Sequence, residues 1–145
     1  ETGRSMLFLG RPGTGKTHLG CAIAQYLIGK GMTAYYSTVQ RALRRVKDTW
    51  SRDAAESEAT AIKAMTSVDL LVLDEIGVQF GSDTEKTLLF DILNERYERR
   101  RPTLLLSNLA KEDVAKFLGE RVMDRLREDG GRVLTFDWES YRRKP

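Results

Sequence analysis

The chain predicts an α/β fold, a doubly wound parallel five-stranded sheet with helices on both faces, and three observations predict it. Five apolar, strand-like runs alternate with amphipathic helical segments along the 145 residues. A glycine-rich loop of the form GxxxxGK[ST], Gly10-Arg11-Pro12-Gly13-Thr14-Gly15-Lys16-Thr17, joins the first run to the first helix. Val68 to Leu73 is apolar apart from Asp69, as expected of a strand buried on both faces of a parallel sheet.

The elements follow in order. Met6-Leu7-Phe8-Leu9 is the first strand. Leu19, Ala22, Ile23, Tyr26 and Leu27 recur at helical spacing and predict one apolar face, ending at Gly29-Lys30-Gly31. Thr33 to Ser37 is the second strand. Ser37 with Gln40 reads as a capping box for a helix that buries Val39, Ala42, Leu43, Val46 and Trp50. An Ala-rich segment from Asp53 to Met65 predicts another helix, and the 68–73 strand follows. Ser82 with Glu85 forms a second capping box, opening a helix through Leu88, Leu89, Ile92, Leu93 and Tyr97 that closes on Arg99-Arg100-Arg101 before Pro102. Basic residues there complement the helix dipole. Thr103 to Ser107 is the fourth strand. Two short helices, about 111–118 and 120–128, are separated by Gly119, and Gly130-Gly131 turns the chain into the last strand, Val133 to Phe136.

The glycine-rich loop carries the chemistry. Its glycines let successive backbone N–H groups point at phosphate oxygens, and the helix N-terminus adds partial positive charge. Lys16 would reach the β- and γ-phosphates of ATP, and the Thr17 hydroxyl would ligate Mg²⁺. Asp74 and Glu75 end the buried strand, at the edge of the sheet where ligands of such folds collect, and are expected to face Lys16 across the tip of the neighbouring strand. Asp74 would hold Mg²⁺ directly or through water. Glu75 would polarise the water that attacks the γ-phosphate. Asn108 ends the next strand, where its amide could orient that water or simply shape a turn.

With these parts located, the chain resembles an AAA+ ATPase of the DnaC/DnaI group of bacterial and phage replicative helicase loaders. The resemblance rests on residues 10–19, on 68–79, on Leu-Gly-Glu-Arg-Val-Met-Asp-Arg-Leu-Arg at 118–127, and on Phe-Asp-Trp-Glu-Ser-Tyr-Arg at 136–142. It implies ATP (with ADP as product) and Mg²⁺ as cofactors, a nucleotide-binding segment from Gly10 through His18, and Asn108 as sensor I. It makes Arg125 an arginine finger supplied to a neighbouring subunit, hence self-association, and gives Arg142 the sensor II position with little or no lid subdomain. Arg121, four residues before Arg125, is open between this role and a local salt bridge. The resemblance further implies a single AAA+ domain over 1–145, a replicative helicase as partner through an amino-terminal region missing from this chain, and a cytoplasmic, nucleoid-associated location in a bacterium or phage-infected cell. Arg41, Arg44 and Arg45 form a cationic patch at i, i+3, i+4 spacing, by itself open between a solvated helix face and a strand-binding surface; the resemblance places it on an extra helical insertion and implies contact with single-stranded DNA.

The remaining readings narrow the class. A net charge of +3 does not by itself indicate nucleic-acid binding. No apolar stretch is long enough to span a bilayer. The opening Glu-Thr-Gly lacks an initiator Met, so an upstream segment is expected. The single Cys21 excludes an internal disulfide and reads as a packing residue. Rival readings are an IstB-type transposition helper ATPase, a P-loop nucleotide kinase and a non-hydrolysing nucleotide switch.

Overall fold

The computed structural model describes residues 4–77 and 82–143. The opening Glu1-Thr2-Gly3 and Val78-Gln79 of the 68–79 motif lie outside them. Five parallel strands, β1 (Met6–Gly10), β2 (Ala34–Thr38), β3 (Leu70–Asp74), β4 (Thr103–Ser107) and β5 (Arg132–Phe136), form one sheet in the order β2-β3-β4-β1-β5. The connecting helices are α1 (Lys16–Gly29), α2 (Val39–Asp48), α3 (Glu58–Thr66), α4 (Asp83–Glu98) and α5 (Lys111–Arg127). Gly119, at φ 80° and ψ 161°, breaks α5 into the two short helices expected.

Strand alternation sorts the core into two layers. Leu7, Leu9, Leu71, Leu73 and Leu105 face α2–α5, with Val46, Leu89, Ile92 and Met123 among their neighbours. Phe8, Leu70, Val72, Leu104 and Leu106 face the opposite side, which α1 covers through Ala24, Ile23 and Leu27.

Helix α1 departs from its sequence pattern. The expected face of Leu19, Ala22 and Tyr26 points to solvent, with Leu19 at 40% and Tyr26 at 65% exposure. The buried face is Lys16, Gly20 and Ala24. The phosphate loop sets this rotation: Lys16 must turn into the loop, so the residues one and two turns later meet the sheet. Gly20 lies directly against the sheet, where a methyl would make ordinary contact with Leu106 and Val72 at 3.4 Å.

Two other details shift. The cap of α2 is Thr38, whose hydroxyl accepts the Arg41 N–H at 3.2 Å, while Ser37 is buried in β2 and donates to the Thr38 carbonyl. Trp50 lies past the end of α2 and is half exposed, and its indole N–H donates to Glu58 at 2.6 Å. Helix α3 begins later than expected because Ser57 caps it. Ser82 caps α4 as expected, with the Glu85 N–H 3.3 Å from its hydroxyl, but the Glu85 carboxylate pairs with Lys47.

Arg96 on α4 is fully buried, a position the apolar spacing assigned to neither face. Its guanidinium donates to the carbonyls of Met65, Val68, Asp69 and Pro102 and to the Thr103 hydroxyl, at 2.7–3.3 Å. One side chain thus gathers the end of α3, the entry to β3 and the entry to β4. Burial pushes its pKa down to about 10, which leaves it charged at neutral pH. Arg96→Met strands several buried acceptors and is expected to lower unfolding stability by about 3 kcal/mol, measured by urea denaturation.

Candidate nucleotide site

The loop from Gly10 to Gly15 leaves β1 with Gly10, Gly13 and Gly15 all at positive φ. Lys16 is 5% exposed, and its ammonium donates to the Gly10 carbonyl (2.7 Å), the Arg11 carbonyl (2.8 Å) and the Thr14 hydroxyl (3.2 Å). Burial holds its pKa below the ordinary lysine value, Asp74 opposes that shift, and Arg142 adds to it. The loop borders a cleft of about 490 Å³ that also takes in Thr17, His18, Asp74, Glu75, Asn108, Tyr141 and Arg142. Arg11 contributes its carbonyl; Pro12 lines the rim.

Asp74 meets this loop from β3, across β4, which lies between β3 and β1 in the sheet. The intervening tip, that of β4, carries Asn108. The spacing closes nonetheless: Thr17 Oγ1 donates to Asp74 Oδ2 at 2.6 Å. Asp74 Oδ1 accepts the Glu75 N–H at 2.8 Å. Glu75 itself is exposed at φ 61°, a left-handed conformation that a non-glycine residue adopts only under local constraint. The constraint is visible: Ile76 N–H bonds the Leu106 carbonyl at 3.0 Å, and Ser107 donates to the Ile76 carbonyl at 2.7 Å while accepting the Leu109 N–H. These bonds tie the exits of β3 and β4 together and set Glu75 beside Asn108.

The donor set fits the cofactors the motif implies. Glycine backbone and a buried ammonium suit a polyphosphate. Thr17 and Asp74 present hard oxygens side by side, which suits Mg²⁺, an ion that takes one or two protein oxygens and completes its shell from phosphate and water. Among the described residues no group of three or more His, Cys, Asp or Glu could hold a metal alone.

Three residues that touch the cleft or its walls were given no role by the sequence pattern. Tyr36 on β2 donates its phenol to Asp74 Oδ2 at 2.7 Å; burial, then the Asp74 bond, pushes that phenol above its ordinary pKa and keeps it a donor. Trp138 donates its indole N–H to the Thr14 carbonyl at 3.0 Å and packs at a tilt against Phe136, which packs at a tilt against Phe8. The Tyr141 N–H reaches the Gly13 carbonyl at 2.9 Å. Residues 138–142 thus lie as a strap across the phosphate loop. A methyl on Gly13 would sit 2.1 Å from Ser140 Oγ, so the strap and the glycine need each other. The signal was present in the closing aromatic run, but only the register of the sheet reveals that it crosses the loop.

Arg125 stands apart from its own chain's cleft. Its guanidinium lies 4.5 Å over the Tyr97 ring and donates to Asn94 Oδ1, beside a cavity of about 400 Å³ between α4 and α5 that Arg121 also lines. On α2, Arg41 and Arg44 face solvent. Arg45 does not join them: it forms a two-pronged bond with Glu56 at 2.8 and 3.0 Å and donates to the Tyr35 hydroxyl. The patch of solvent-facing cations is therefore Arg41 and Arg44, because Arg45 braces the segment ahead of α3. Its partner Glu56 is held below the usual carboxylate range.

Comparison with known proteins follows the same lines. The model of a family described as "IstB-like ATP binding protein" matches residues 1–145. The replicative helicase loader DnaC of Escherichia coli (strain K12) is 43% identical over 138 residues, which are 95% of this chain and 56% of that protein. The chain thus spans little more than half the length of the curated relatives it matches. A crystal structure of the DnaC helicase loader superposes with a TM-score of 0.79 at 28% identity, covering 93% of this chain and 79% of that one. A crystal structure of DnaI superposes with a TM-score of 0.76 at 22% identity, covering 97% and 73%, and shares the fold.

Proposed function

This chain belongs to the IstB-like ATP-binding family, and from that premise we propose that it is the motor domain of a replicative helicase loader, a Mg²⁺-dependent ATPase. The observation that carries the reading is the 2.6 Å contact between Thr17 and Asp74, which assembles both halves of a nucleotide site at one strand edge. The resemblance to DnaC relatives over 95% of the chain favours a loader over a transposition helper.

In this reading residues 1–145 are one AAA+ domain. Lys16 and the loop N–H groups bind the phosphates, and Thr17 and Asp74 would hold Mg²⁺, which would supply charge neutralisation for the transferring group. Glu75 takes a proton from the attacking water and Asn108 orients it. Arg142, beside Lys16 in the cleft, contacts the phosphates from the strap. Pro12 and His18 border the bound nucleotide. Arg125, remote from its own cleft, serves the site of a neighbouring subunit, so the protein self-associates. Among the described residues no helix is long and apolar enough to cross a membrane, and we place the protein in the cytoplasm, at the nucleoid.

The test is ATP hydrolysis without any phosphate acceptor, together with ATP-dependent co-purification of the full-length protein with a hexameric replicative helicase. Hydrolysis that requires a small acceptor would identify a kinase, and capture of a transposase in place of the helicase would identify a transposition helper.

Single-stranded DNA is the second proposed partner, bound through Arg41 and Arg44 on α2. Replacing both by Gln is expected to weaken binding to an unstructured oligonucleotide and to flatten the slope of log affinity against log salt by about 1.4, two lost phosphate contacts. Fluorescence anisotropy across a salt series measures it. An unchanged slope would remove this surface from the interface.

A further inference from the structure

Tyr36 sits on the edge strand β2, paired with Val72, two residues before the pair Thr38 and Asp74. Parity along parallel strands puts Tyr36, Val72 and Asp74 on the same face of the sheet. Two residues of rise, about 6.6 Å, match the reach of a tyrosine from Cα to hydroxyl. Tyr36 therefore spans diagonally to the carboxylate, and its hydroxyl lies 2.7 Å from Asp74 Oδ2. Tyr36 is 38% exposed, so packing alone does not account for an aromatic residue here.

The hydrogen bonds of Asp74 define what that contact does. A carboxylate offers about four lone-pair positions, two on each oxygen. Oδ2 receives both the Thr17 and the Tyr36 hydroxyls, and Oδ1 receives the Glu75 N–H. Among the described residues this leaves one open lone pair, on Oδ1. Without the phenol, one lone pair of Oδ2 would open and the carboxylate would be held by Thr17 and the Glu75 N–H alone, with more freedom to turn about its Cβ–Cγ bond. Thr17 can keep donating its proton to Oδ2 while its own lone pair faces a cation, so the arrangement is compatible with metal binding.

We propose that Tyr36 is a positioning residue for the divalent cation this site would hold, fixing the orientation of the Asp74 carboxylate beside the Thr17 hydroxyl. The proposal rests on the Mg·ATP reading of the cleft. Tyr36 touches neither nucleotide nor cation and acts through Asp74, as outer-shell partners of metal ligands do.

The experiment is a titration of a ribose-labelled fluorescent ATP analogue into the parent protein, Tyr36→Phe and Thr17→Ala, first in EDTA and then across a Mg²⁺ series. Tyr36→Phe removes one oxygen and retains the ring. Its affinity for the analogue in EDTA is expected to stay within about twofold of the parent, while the Mg²⁺ concentration giving half of the metal-dependent gain rises about tenfold. A Tyr36→Phe protein whose Mg²⁺ requirement is unchanged or lower, while Thr17→Ala raises it, overturns the role of Tyr36 and leaves the Mg·ATP reading standing. Equal losses in EDTA and in Mg²⁺ also overturn it, as the signature of a purely structural residue. A parent protein that binds the analogue with no Mg²⁺ dependence overturns both.

Discussion

Glu75→Gln is expected to lower ATP turnover by roughly 10²–10⁴-fold, the usual contribution of a positioned general base, while ATP binding persists. The amide keeps the shape of the side chain and loses the ability to take a proton. Binding persists because the groups proposed to meet the phosphates and their cation are Lys16, the loop N–H groups and Thr17, and the bonds of Lys16 and Thr17 go to groups other than the Glu75 side chain. Phosphate release under single-turnover conditions, beside equilibrium binding of a fluorescent ATP analogue, separates the two effects. A variant that still turns over at the parent rate would transfer the base role elsewhere in the cleft. The left-handed backbone at Glu75 gives the test a second edge. Glu75→Gly would relieve the strain and abolish the base together, so only the Gln variant isolates the proton transfer.

Arg125→Ala is expected to reduce turnover on the order of 10³-fold, the lower end of what an arginine finger supplies, with little change in ATP affinity of a single protomer. The guanidinium is parked on Tyr97 and Asn94 of its own α4 and does not line its own cleft. It therefore serves a second subunit or serves none. Mixing decides between these. Arg125→Ala retains Glu75, and Glu75→Gln retains Arg125, so an equimolar mixture of the two inactive proteins would form some interfaces with both groups intact and regain part of the parent rate. Specific activity of the parent would likewise climb with protein concentration. No recovery on mixing, with the two variants shown to co-assemble, would place Arg125 outside catalysis and leave it as the brace between α4 and α5.

The parts of this molecule that were legible in the sequence are those fixed by local chemistry. Gly10 to Thr17 announces its own backbone path, Ser82 caps the helix it precedes, Gly119 divides α5, and five apolar runs become five parallel strands. What escaped depends on which side chain meets which across the sheet. Helix α1 has two overlapping apolar stripes at helical spacing, and periodicity selected the one containing Leu19 and Tyr26. The winning stripe was set by Lys16, a charged residue whose burial no hydrophobic pattern would suggest. Arg96 reads as a surface cation until three chain segments bring their carbonyls to it. Arg45 shares its spacing with Arg41 and Arg44, and only the return of Glu56 ahead of α3 distinguishes it. Tyr36 looks like any strand-forming aromatic until the register of β2 against β3 aims it at Asp74.

Trp138 is one of two tryptophans in the chain, and the two report from different places. Trp50 hangs at the outer end of α2 against Glu58, whereas Trp138 is clipped to the backbone of Thr14 between the glycines that would wrap a triphosphate. With Trp50 exchanged for Phe, the protein's tryptophan emission, excited beyond the absorption of its tyrosines, would come from one indole mounted on the phosphate cradle itself. The fold thereby supplies its own optical gauge of loop movement, readable in real time without a dye and without altering any residue that faces the nucleotide.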